Sequence, residues 1–553
     1  MAASDTRDYV LAFESNKDSA AQIAAATAKK LESRQTTLIE VVQSLGEYIN
    51  DEDAKIRTRA VSYLTAIISS LPRAFLSRQQ IDVLCDFLCA RIEDGGALEG
   101  LSKLQSLDRF NDTMAQTVVK AVIDHFSDLQ SLGQAARYKV LQLLNELMER
   151  HRKGVRDMGD QSLIGIAAVV SGEKDPRNLM LVFSMLRVIM VEWDISKHSD
   201  IMFDSVYAYF PITFRPPPND PYGITAQDLK DRLRDCIAST GALAPHSIPN
   251  LIERLDATSV TVKRDVLQAL AACALNYDPE TIVKYSNPLW ESVKFEILQA
   301  QEPELADEAL VVIKNIAACI SDLSGATPVT VPLFTYLKPI ATESLDHLKQ
   351  PASRQANASG DILKAAASAS IRAHTYITEK VGPSLMTTLQ DSDGILQQRA
   401  ILEVTNKLFE AAIEVYGSRA LPTSRHSGNP ENALGQLKDN LVAVYSQALM
   451  ATVKEEVSFR LTAAKGLLLF AKMRSILDDS EVGLFVQYFD DIVLKEESYG
   501  KDELKQVAIA PSPKYRHSSP ASSPTSAYQH SWLACPRPKE MRPMLLTNQF
   551  SMH

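Results

Sequence analysis

Apolar residues recur along this chain with the period of an α-helix, and the pattern as a whole repeats about every 40 residues. In the stretch that opens at Ile56, the residues Ala60, Val61, Leu64, Ile67 and Ile68 fall 3, 4, 7, 10 and 11 positions after Arg57. That spacing puts all five on one helical stripe. The template returns after Ala97 (Gly100, Leu101, Leu104, Leu107), Arg137 (Val140, Leu141, Leu144, Leu147, Met148) and Asn178 (Leu181, Val182, Met185, Val188, Ile189). The steps between these anchors are 40, 40 and 41 residues. The template appears again at Lys263 and Ala306, after gaps of 85 and 43, and the first gap reads as two periods with an interruption.

A second amphipathic helix is expected ahead of the stripes, over residues 38–49, 118–129 and 247–255. Acidic turns such as Asn50-Asp51-Glu52-Asp53 join the pairs. Carboxylates there suit the positive end of the following helix dipole, and a basic anchor such as Arg57 close behind can reach them. A helix, an acidic turn and a helix in about 40 residues is the HEAT pattern, in which a pair buries its stripe only against its neighbours. The expected fold is therefore an all-α, HEAT-type (armadillo-like) solenoid.

Beyond Ala306 the period loosens. Helices are expected over residues 332–349 and 360–375 with a polar stretch between them, and the template returns at Gln397 and at Arg460 (Ala463, Ala464, Leu467, Phe470). Residues 417–430, rich in Ser, Pro and Gly, are expected to bulge as a loop, and the helices to continue to about residue 494. After Gln506 a Ser/Pro stretch begins, with no periodicity to extend the stack. The expected organisation is an N-terminal helix and leader (1–35), a regular array (36–320), less regular helices (321–500) and a disordered Ser/Pro-rich tail (501–553).

Composition agrees with packed helices: 45% hydrophobic, 7% aromatic and only 21 glycines in 553 residues. With 58 Lys plus Arg against 68 Asp plus Glu, the net charge of −10 argues against direct nucleic-acid binding. Basic clusters such as 150–153 read as solvated helix ends. No run of 18 apolar residues occurs and residues 1–13 lack a signal-peptide pattern, so no membrane partner is expected. Six scattered cysteines suit a reducing compartment, nucleus or cytoplasm. Cys85 and Cys89 are the only close pair, spaced i, i+4 among apolar residues, and read as buried rather than as cluster ligands. His151 and His246 read as surface or turn positions, and His125 as a packed one. Phosphate-loop, nucleophile-elbow and zinc-protease motifs are all missing, so no enzyme, cofactor or metal is expected.

The interruption lies at Tyr209-Phe210-Pro211-Ile212-Thr213-Phe214-Arg215-Pro216-Pro217-Pro218-Asn219-Asp220-Pro221-Tyr222-Gly223-Ile224-Thr225. Five prolines in eleven residues forbid a helix and impose extended backbone, after which Thr225 is placed to cap a helix over 226–238. One reading is a rigid connector between repeats. The other is a recognition loop of Phe210, Phe214, Pro216, Pro217, Pro218, Asn219, Asp220, Pro221 and Tyr222, in which Tyr209, Phe210, Phe214 and Tyr222 are exposed on preformed backbone that binds at small entropic cost.

The run closely resembles the N-terminal domain of the MMS nineteen nucleotide excision repair and transcription family, as do Asp94-Gly95-Gly96-Ala97-Leu98-Glu99-Gly100-Leu101 and the early Arg57 repeat. The resemblance implies a non-catalytic adaptor of the cytosolic iron–sulfur assembly targeting complex. Its implied partners are the assembly factors and apo iron–sulfur helicases and polymerases of replication, repair and transcription. Family members carry a further C-terminal HEAT domain where the Ser/Pro tail stands here, so a truncated or spliced form is expected. Periodicity alone fits a nuclear transport receptor or phosphatase scaffold equally well; in this reading Arg57, Arg137, Lys263 and Arg460 are structural repeat anchors.

Overall fold

A computed structural model describes residues 2–215, 222–300, 302–321, 323, 332–392, 394–417, 432–450, 457–473, 476–497 and 500–509. All regular elements among the described residues are helices, and they fall into two compact units, 1–285 and 286–553.

The first unit is a run of helix pairs: α1 (Ala2–Ser15) with α2 (Lys17–Glu32), α3 (Leu38–Ile49) with α4 (Ala54–Ser70), and α5 (Arg78–Cys89) with α6 (Ala97–Leu104). Next come α7 (Asp112–His125) with α8 (Gln134–Arg150), the short α9 (Arg152–Asp157), and α10 (Asp160–Val170) with α11 (Pro176–Glu192). The unit closes with α12 (Ser199–Tyr207) and α13 (Ala226–Ile237), then α14 (Ala244–Arg254) and α15 (Val260–Asn276). Two layers result. The second helices stack in the order α2, α4, α6, α8, α11, α13, α15, and the first helices α5, α7, α10, α12 and α14 line up alongside them. Residues 1–35, expected as a helix and leader, thus contribute a full pair, with α1 on α3 and α2 on α4.

Local chemistry sets these boundaries. Thr37 and Glu40 form a reciprocal capping box at α3, as do Ser77 and Gln80 at α5 and Thr225 and Asp228 at α13. Asp175 caps α11, with Pro176 in the first helical turn where its missing N–H costs nothing. The predicted stripes form the core: Ala60, Val61, Leu64 and Ile67 are 0% exposed, and so are Val140, Leu141, Leu144 and Leu147. The first helix of the Arg137 repeat runs 112–125 instead of 118–129, because Asn111 caps it earlier by accepting from the Met114 N–H.

The 85-residue gap conceals a complete repeat, α12 with α13. The template is present in α13 at Leu229, Leu233, Cys236 and Ile237, all buried and counted from Ala226. Lys230 occupies its second apolar position and pairs with Asp265 at 2.7 Å. The proline run therefore lies within a repeat, between its two helices, and not between repeats as a connector.

The second unit begins within α16 (Pro279–Leu298) and continues with α17 (Pro303–Ser321), α18 (Pro332–Leu348), α19 (Arg354–Ala367), α20 (Ile371–Asp391) and α21 (Ile395–Tyr416). It ends with α22 (Lys438–Leu449), α23 (Val457–Ala471), α24 (Asp479–Lys495) and α25 (Lys501–Ile509). Its second helices also stack, α17 on α19, α21, α23 and α25 in turn. The helix expected over 360–375 is two helices. Ser353 caps α19 from within the polar stretch, and Ser370 caps α20 after a break at 368–370. Residues 501–509, expected in the tail, form α25 with Leu504 and Ala508 buried. The expected loop at 418–430 and the tail from 510 lie outside the described residues. No described helix is long and apolar enough to cross a membrane.

Candidate protein-interaction site

The turns between the two helices of each pair follow one another along one edge of the first unit, and the basic anchors tie them together. Arg57 Nη1 donates to the carbonyls of Asp51 and Glu52 in its own turn, each at 3.1 Å, while its Nε reaches Asp94 Oδ1 of the next turn at 3.1 Å. Arg137 repeats the arrangement, with Nη1 on the Leu132 carbonyl at 2.9 Å and Nε and Nη2 on the two Glu173 oxygens at 2.8 and 2.9 Å. In the second unit Arg460 does likewise, from the Leu449 carbonyl to Glu496. The anchors thus reach one turn further than the sequence suggested. Lys263 lies half-buried at the corresponding place on α15.

Glu173 shows the electrostatic consequence. It is 0% exposed, and burial alone pushes its carboxyl up. The Arg137 fork, the Asp175 and Lys174 N–H groups and the Asn178 amide outweigh that and hold it below the ordinary carboxylate range.

The proline run replaces one of these short turns. Its N-terminal flank is anchored in the core: Phe203 stacks on Tyr207 with ring centroids 4.6 Å apart, and Tyr207 on Phe210 at 5.6 Å. Tyr209 meets Phe183 edge to face at 5.5 Å. Burial and the nearby Glu173 carboxylate raise its phenol to about 12. Phe210 is only 9% exposed and packs beside Leu233 of α13, so it is a base for the run and not the exposed aromatic expected. Phe214 is half-buried. Pro216, Pro217, Pro218, Asn219, Asp220 and Pro221 lie outside the described residues.

The C-terminal flank is held differently. Tyr222 is 50% exposed, and its hydroxyl accepts from Arg177 Nη1 at 3.2 Å. The Arg177 guanidinium lies over both the Tyr222 ring, at 4.5 Å, and the Tyr138 ring, at 3.5 Å. Residues from three successive repeats thus meet at one end of the run. Sequence reasoning missed Arg177 and Tyr138. Their signal is positional: Tyr138 follows the Arg137 anchor, and Arg177 stands 40 residues after that anchor.

Comparison with known proteins bears on this geometry. A family model described as Dos2-interacting transcription regulator of RNA-Pol-II, MMS19_N, matches residues 42–299, which include the proline run and the turns from α3–α4 to α14–α15. Residues 42–299 are an MMS19-type N-terminal domain. The chain is 27% identical over 491 residues to the DNA repair/transcription protein mms19 of Schizosaccharomyces pombe, covering 88% of this chain and 48% of that protein. It is 29% identical over 383 residues to the MMS19 nucleotide excision repair protein homolog of Homo sapiens, covering 68% and 37%. For the MMS19 nucleotide excision repair protein homolog of Xenopus laevis the identity is 28% over 466 residues, covering 83% and 44%. The chain spans less than half of the length of these curated relatives. Among solved structures, the karyopherin Kap121p aligns over 91% of this chain and 45% of its own, at 13% identity and a TM-score of 0.37.

The cysteines of the MMS19-type domain serve packing. Cys85, Cys89, Cys236 and Cys273 are buried, and burial drives the Cys236 and Cys273 thiols up to about 12, away from the thiolate that binds metal. Among the described residues no group of three or more His, Cys, Asp or Glu could hold a metal ion. His151 pairs with Asp112 at 3.0 Å, and His246 faces Ser199 at 3.3 Å. His125, expected to be packed, is exposed beside Glu93.

Proposed function

We propose that this chain is a non-catalytic adaptor of the cytosolic iron–sulfur protein assembly targeting complex, acting in nucleus and cytoplasm. Its repeats hold apo iron–sulfur helicases and polymerases of DNA replication, repair and transcription while the assembly factors supply the cluster. It makes no direct contact with nucleic acid or membrane. The observation that carries the reading is the proline run held at both ends on the turn edge of an MMS19-type domain, by Tyr209 and Phe210 on one side and Tyr222 on Arg177 on the other. Side chains held in place before binding lose little entropy on it, and Phe214 and Tyr222 stand on these fixed flanks to meet a partner. The DNA repair and transcription names of the relatives fit this role.

Co-purification from cells tests the proposal. The tagged chain is expected to retain apo iron–sulfur helicases and assembly factors, and a Phe214→Ala, Tyr222→Ala variant to lose most of the helicase signal while keeping its circular dichroism. Equal helicase recovery by both would remove the proline run from the account.

A further inference from the structure

Two repeats before the proline run, the same edge contains a groove of about 510 Å³ between the α5–α6 turn and the α7–α8 turn. One wall is backbone. Gly96 has φ +92°, which L side chains rarely adopt, and a Cβ there would lie 2.6 Å from Ser62 Oγ and 3.1 Å from Ser62 Cα. The wall is pinned to α4, since the Gly95 N–H donates to Thr58 Oγ1 at 3.1 Å and Thr65 Oγ1 donates to the Gly96 carbonyl at 3.0 Å. The groove is therefore built into the edge before any partner arrives.

Its lining is aliphatic inside and acidic at the rim. Leu98, Leu132 and Ala136 line it half-exposed. Of the four carboxylates that border it, Asp94 is neutralised by Arg57 at 3.1 Å and Glu99 by Lys139 at 2.6 Å. The other two, Glu93 and Asp128, are exposed and have no Lys or Arg ion pair among the described residues; His125 Nδ1 lies 3.5 Å from Glu93. A rigid apolar trough with two carboxylates that no Lys or Arg neutralises selects for a complementary occupant.

We infer that this groove docks an extended segment of a partner protein in which Lys or Arg alternates with an aliphatic residue. Successive side chains of an extended segment point to opposite sides, so alternate aliphatic residues cover Leu98 and Leu132. The long basic side chains between them lay their methylenes along the rim and place their heads on Glu93 and Asp128. The chain's net charge of −10 draws such a segment in at low salt. This site is separate from the proline run and does not depend on it.

The test uses the full chain and the fluorescein-labelled peptide Gly-Leu-Lys-Leu-Lys-Leu-Gly, read by anisotropy, with hydrogen exchange to locate it. The expected result is salt-sensitive binding that slows exchange in residues 92–99 and 128–136. Glu93→Arg with Asp128→Arg is expected to weaken binding about tenfold or more, with unchanged circular dichroism because both residues are exposed. The peptide with Glu in place of Lys is expected not to bind, and Tyr222→Ala to leave binding intact. Binding that survives the double reversal, or protection confined to other turns, overturns the inference. So does a charge reversal that changes only the sedimentation of the chain, which would make the groove a contact between copies.

Discussion

Two arginines that occupy the same place in turns two repeats apart carry different weights. Arg57 keeps a side chain 30% exposed, and Asp94 has a second cation in Arg91 at 3.8 Å. Arg137 instead serves a carboxylate whose side chain is 0% exposed. Removing one cation from a carboxylate that keeps another and some solvent costs little, whereas stranding a fully buried charge costs its desolvation. Arg57→Met is thus expected to lower unfolding free energy by about 1 kcal/mol or less. Arg137→Met should cost roughly 3–5 kcal/mol, with much of that recovered when Glu173→Gln is added. Urea unfolding of the three variants measures this, and equal losses at both arginines would show that burial does not set the difference.

At the scale of the element, a helix pair has no core of its own, so damage to one stripe should spread to the pairs on either side. Leu144 is 0% exposed in α8, which packs on α6 and α11. Leu144→Asp is expected to cost several kcal/mol and to speed amide exchange in α6 and α11 as well as in α8. Exchange that changes only in α8 would contradict stacking. These second helices were legible in the sequence because their buried faces are Leu, Val and Ile set against polar neighbours. Others were not. The buried face of α19 includes Ala356, Ser359 and Gly360, small residues that give almost no hydrophobic contrast. In α13 the stripe is broken by Lys230, whose charge is absorbed by Asp265, and the proline run stretches the step from Asn178 to Ala226 to 48 residues. Of the candidate site, the run itself could be read directly. Its fastening could not, because Tyr138, Arg177 and Tyr222 meet only through the register of three stacked repeats, and the burial of Phe210 against Tyr207 is a matter of packing that the proline pattern does not carry.

Across the whole molecule, the features that point to partners lie on the turn edge of the first unit: a proline run clamped by aromatic and cation–π contacts, and an acidic groove walled by glycine backbone. An adaptor needs an edge of this kind, since loops on a rigid stack can vary without disturbing the stripes that hold it together. The thiols of Cys236 and Cys273 are buried and raised, which leaves these two cysteines to packing. The most direct measurement is a hydrogen-exchange footprint of the chain bound to a purified apo iron–sulfur helicase. Protection centred on residues 206–215 and 222–228 and on the adjoining turns is the predicted result. A stable complex that leaves this edge unprotected and covers only the outer faces of the first helices would contradict it.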